Sequence, residues 1–134
     1  MGGTAGSLGN IQEERAMGML QMKRVYEEPE EQDGYRILVD RLWPRGISKE
    51  KAKLDLWEKS IAPTKELRAW YGHVPERFEE FAGRYREELK GNPDMEAFRS
   101  LVTEKLQDGN VTLLYAAKDG ALSNAAVLLE DLKA

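Results

Sequence analysis

The chain has no cysteine, one histidine and no apolar run near the roughly 20 residues of a membrane span. Without cysteine there is no disulfide, no thiolate nucleophile and no cysteine-held zinc. A single histidine, His73, leaves a zinc site dependent on carboxylates, which is poor zinc chemistry. A basic surplus is missing too: 20 Lys and Arg face 24 Asp and Glu, a net charge of -4. That speaks against a nucleic-acid module with an all-basic face. Nothing resembles a signal peptide, so the chain reads as cytoplasmic and apart from membranes. Its 134 residues suit one domain with a core of its own.

What is there is organised along the chain. Residues 1–20 begin "MGGTAGSLGN" and read as a flexible leader, with a short helix capped by Asn10. Residues 21–134 form the domain. "QMKRVYE" reads as a first strand, and the five acids of "EEPEEQDG" as a solvated connection. "YRILVD" is a strand buried on both faces, and Trp43-Pro44 takes the chain out of the sheet at Asp40. Ser48 and Thr64 are placed to cap short helices, and "LDLWEKSIAP" between them reads as extended. Phe78, Phe81, Tyr85 and Leu89 recur at helical spacing, as do Met95, Phe98, Val102 and Leu106 after an Asn92-Pro93 start. "NVTLLYAA" is another buried strand, and a last helix follows with Leu122, Ala125, Leu129 and Leu132 inward. The pattern predicts an α/β single domain with a small, mostly parallel sheet flanked by helices.

In such sheets ligands collect beyond the carboxyl ends of the strands. One strand there delivers Asp40, Arg41, Trp43 and Arg45; another delivers Lys118 and then a helix start with Ser123 and Asn124. Residues 36–53 hold six basic and two acidic side chains, a local surplus on an acidic protein. Helix amides with guanidinium and ammonium groups favour anions. Arg41, Arg45, Arg68 and Lys118 would hold the anion, Asn124 would donate to the ligand, and Trp43 would stack on a planar part. Asp40 would orient arginines or act as a base. Ser123 has no histidine nearby in sequence for a nucleophilic role, and His73 is read as a loop or capping residue. The competing reading is an internal ion-pair network around Asp40 and Arg41. The residues name no cofactor and no oligomeric state.

"YRILVDRLWPRG", "IAPTKELRAWYGHVPERFEEFAGRYREEL" and "VTLLYAAKDGALSNAAVL" resemble the YeaO-like bacterial proteins, a branch of the domain-of-unknown-function 488 family. The resemblance runs from Lys23 to the end and implies a small cytosolic α/β domain without an established activity. Many members of the wider family carry a "DVR" loop and a Cys-His-Arg motif opening a late helix. Val39 to Arg41 are similar to the first; Ser123, Asn124 and Ala125 stand where the second would fall. A thiol mechanism therefore does not transfer. The expectation is a small anionic ligand, phosphate-bearing or nucleotide-like, at the strand ends, with hydrolase or transferase chemistry left open. The alternative is a non-catalytic protein or nucleic-acid interaction module built on the Trp/Arg loop.

Overall fold

In the computed structural model, residues 17–134 are described. Strand β1 (Leu20–Arg24) is followed by β2 (Tyr35–Leu38), helix α1 (Lys49–Ala52) and the two-residue β3 (Leu56–Trp57). Helices α2 (Lys65–Tyr71), α3 (Phe78–Gly91) and α4 (Met95–Asp108) precede β4 (Val111–Tyr115), and α5 (Asn124–Lys133) closes the chain. The strand order is β1-β4-β2-β3 and every pair is parallel. Val111 lies opposite both Leu20 and Tyr35, and Tyr115 opposite Arg24. All four strands therefore open their carboxyl ends on one edge.

The apolar alternation divides the sheet into two unequal faces. Ile37, Val39, Val111, Leu113 and Tyr115 pack against the buried residues of α2, α3, α4 and α5 in one large core. Among the described residues, the apolar side chains buried on the opposite face are Val25, Leu38, Ala52 and Leu114, with Trp43, Ile47, Leu54 and Trp57 beside them. The four longer helices thus share one side, and the other is roofed by α1 and connecting segments.

That thinner side is completed by a polar layer. Arg36 and Asp33, 4% and 3% exposed, pair at 2.5 Å, and Lys23 joins from β1 at 3.1 Å. The Thr112 hydroxyl donates to the Asp33 carbonyl at 2.6 Å. The 27–34 connection is therefore not wholly a solvated loop: its last acid is buried because two cations on the sheet lie under it. Gly34, with φ of 65°, lets the chain turn into β2 against the Asn110 backbone.

Local signals account for much of the rest. Ser48 and Thr64 accept hydrogen bonds from Lys51 and Leu67 amides and cap α1 and α2. Asn92 accepts from the Asp94 amide at 2.9 Å, so it shapes the turn into α4, whose own N-cap is Asp94. "LDLWEKSIAP" contributes two strand residues and then a 3-10 turn over Lys59–Ile61. In α5 the fully buried side is Ala125, Val127 and Leu128, with Leu129 and Leu132 only partly covered. This widens the inward set read from spacing: Ala125, Leu129 and Leu132 all meet the core, and Val127 and Leu128 join them because the helix rests between the sheet and α3. The expected leader, 1–20, and its Asn10-capped helix fall mostly outside the described residues, while Leu20 already belongs to β1.

Candidate functional site

Just past β2 and β4, Asp40 Oδ2 accepts the Ala116 amide at 2.9 Å and joins the two strand ends. Its other oxygen, Oδ1, is buried with no hydrogen-bond partner among the described residues. Burial pushes the Asp40 carboxyl above its ordinary range, opposed by the Ala116 and Asn124 amides and by the charges of Arg68 and His73. Asp40 therefore sits within electrostatic reach of Arg68 on α2 and of His73 in the turn after it.

Asn124 opens α5 and donates from Nδ2 to the Val39 carbonyl at 3.0 Å, fastening the helix to the end of β2. Ser123 is the N-cap: its hydroxyl accepts the Ala126 amide at 3.2 Å and donates to the Gly120 carbonyl at 2.6 Å. At 2% exposure that hydroxyl is a buried cap. Ala125 beside it is fully buried in the core.

The basic residues divide into two groups. Arg41 donates from Nε to the Pro63 carbonyl at 2.9 Å and from Nη2 to the Ala62 carbonyl at 3.3 Å. It braces the loop after β2 against the segment entering α2. Arg45, Arg68 and Lys118 are exposed, and among the described residues none pairs with a carboxylate. Trp43 donates to the Ile47 carbonyl at 2.8 Å and meets Trp57 edge-on, ring centroids 5.4 Å apart. Trp57 in turn donates to the Asp40 carbonyl at 2.7 Å. Both indoles are packed and bonded internally.

One neighbour of this edge escaped the reading of the sequence, and a second, His73, lies in a turn as that reading had it. Arg24, the last residue of β1, donates from Nε to the carbonyls of Ala116 and Ala117 at 3.2 and 3.0 Å. Its signal was available, since it ends a strand, but β1 gives no long apolar run to mark that end. His73, which the sequence leaves as a loop histidine, adopts φ of 58° and tilts its ring against Tyr71 at 5.8 Å. The Tyr71 hydroxyl donates to the Leu122 carbonyl at 2.7 Å, so the turn bearing His73 is tied to the segment entering α5. No group of three or more His, Asp or Glu that could hold a metal occurs among the described residues. Nor is any helix among them long and apolar enough to cross a membrane.

These features define a single-domain, all-parallel α/β protein with a polar cluster at the carboxyl edge and no available thiol. The chain belongs to the YeaO-like branch of the DUF488 family: the family model described as "Inactive DUF488-N3 subclade" matches residues 19–134. It is 45% identical over 115 residues to the uncharacterised protein YeaO of Escherichia coli K12, covering 85% of this chain and 96% of that one. An uncharacterised protein of Mycobacterium tuberculosis H37Rv is also 45% identical, over 111 residues, 83% of this chain and 91% of the relative. No solved structure matches the chain.

Proposed function

We propose that this protein binds a small anionic ligand, phosphate-bearing or nucleotide-like, at the carboxyl edge of its sheet and does no covalent chemistry there. The observation that carries this reading is the set of exposed cations, Arg45, Arg68 and Lys118, that have no carboxylate partner among the described residues and lie on segments leaving or facing that edge. Unpaired guanidinium and ammonium groups beside a helix amino terminus favour an anion. Asp40 serves as the brace that sets the strand ends, through Ala116. Arg41 steadies the neighbouring loop rather than holding ligand. Ser123 is a poor nucleophile because both hydrogen-bonding roles of its hydroxyl are taken, and the matching family model is itself described as inactive. The packed Trp43–Trp57 pair leaves an interaction module on the Trp/Arg loop without a projecting indole anchor.

The test is a thermal-shift series with inorganic phosphate, pyrophosphate and AMP at low salt. A ligand at 100 times its dissociation constant stabilises by about 2.7 kcal/mol. Arg68→Ala together with Lys118→Ala should erase the response while the apo protein still melts cooperatively, since both side chains are exposed and, among the described residues, neither is ion-paired. Absence of a shift with all three probes refutes the proposal, as does a full response in the double variant.

A further inference from the structure

If the edge holds an anion, a neighbouring feature bears on what the rest of the ligand is. Arg24 ends β1, and the chain turns at once: the Glu27 amide donates to the Arg24 carbonyl and the Glu27 carboxylate accepts the Arg24 amide, each at 3.0 Å. That turn presents Tyr26 outward, 39% exposed, one of the few large apolar side chains among the described residues that are. The Arg24 guanidinium lies 4.6 Å from the Tyr26 ring centroid and is itself pinned by the Ala116 and Ala117 carbonyls. The far end of the ring is fixed as well, because the Tyr26 hydroxyl donates to the Arg45 carbonyl at 2.8 Å. The ring is thus held at both ends, backed by a cation on one face.

The position matters as much as the rigidity. Ala116 gives its carbonyl to Arg24 and its amide to Asp40, so the Tyr26–Arg24 stack and the Asp40 cluster flank a single residue. A fixed, exposed aromatic face next to a cationic edge is how proteins stack a planar base while gripping its phosphate. Trp43, which the sequence offered for that role, is occupied by Trp57 and Ile47.

We propose that Tyr26, backed by Arg24, is a stacking subsite for the base of a mononucleotide whose phosphate sits at the carboxyl edge. This rests on the anion-binding reading and narrows it from phosphate-bearing ligands to nucleotides. Only the stack distinguishes a nucleotide from a sugar phosphate.

Titration calorimetry with AMP and with ribose 5-phosphate separates the two ideas. Wild type should bind AMP about tenfold tighter or more, from the stacking contribution of one base. Tyr26→Ala should remove that preference and leave ribose 5-phosphate binding unchanged, whereas Tyr26→Phe should keep the preference. Equal affinity of wild type for the two probes, or a preference that survives Tyr26→Ala, overturns the subsite while leaving the anion site standing. Failure of wild type to bind either probe overturns both. Tyr26 is a surface residue, so a melting curve of the alanine variant shows directly that its fold is retained.

Discussion

Replacing Asp33 with alanine tests whether the roof over the thinner face of the sheet holds the protein together. The Asp33 carboxylate accepts from Lys23 at 3.1 Å, from Arg36 at 2.5 Å and from the Glu30 amide at 2.9 Å. Removing one member of a buried ion pair costs about 3–5 kcal/mol, because the remaining charge is stranded. Here the stranding is incomplete. Arg36 keeps the Ala52 and Lys53 carbonyls, and Lys23 keeps the Glu30 carboxylate and the Glu28 carbonyl. The lower end, about 3 kcal/mol, is therefore expected. At roughly 4 °C per kcal/mol for a chain of this size, the melting temperature should fall by about 12 °C. The assay is urea unfolding followed by tryptophan fluorescence at pH 7, with Trp43 and Trp57 reporting from that same face. Acid supplies an internal control. Burial alone would raise the Asp33 carboxyl, but the Glu30 amide, Lys23 and Arg36 outweigh it and hold it below 3.8. Its contribution is then complete above the unfolded value and disappears as pH falls through the folded one. The gap between wild type and variant should accordingly be flat from pH 5 to 8 and close below pH 4. A loss under about 1 kcal/mol at pH 7, or a gap indifferent to acid, would refute the reasoning.

Two further substitutions probe the turn into β2 and the carboxyl edge. Gly34→Ala should abolish folding or cost more than about 3 kcal/mol, since its Cβ would sit 2.0 Å from the Asn110 carbonyl oxygen at φ of 65°; circular dichroism and a melt decide it, and a native-like melt counts against the described turn. Asp40→Asn should leave the melting temperature at pH 7 unchanged or higher. It keeps an acceptor for the Ala116 amide and removes a charge that burial disfavours. Because the folded carboxyl is raised, wild type loses stability as pH climbs from 3.8 through the folded value, and the variant should not. A drop of more than about 5 °C at pH 7 would mean that the ionised form is needed.

Which parts of this could be read from the residues follows from the range of the interactions. Caps are local, and Ser48 and Thr64 announced α1 and α2 correctly. Buried parallel strands are marked by apolar runs, so β2 and β4 were legible, and the single α/β domain with them. Arg36 was not. In sequence it counts as one more cation of a basic segment, whereas in the fold it is sealed against Asp33 and two carbonyls. The same limit applies at the edge. That β2 and β4 end side by side was foreseeable, but Arg41 bonding to Ala62 and Pro63 depends on where a distant segment lands. Trp43 and Trp57 look equally free in sequence and are each other's neighbours in space. Tyr26 was passed over because a short mixed strand with an acidic connection after it carries no signal of an exposed, clamped ring.

The strand order has a consequence for how the protein is made. β4 lies between β1 and β2, yet its residues are translated some 70 positions after β2. While the ribosome is still adding α2, α3 and α4, β1 has no sheet partner, and β2 has only the two-residue β3. The helices that emerge first carry the aromatic half of the core with no sheet to cover. Long-range parallel pairing of this kind is slow to form and exposes apolar surface meanwhile. Val111–Tyr115 closes both seams at once, so the sheet stays discontinuous until that late strand has left the ribosome and paired on both sides.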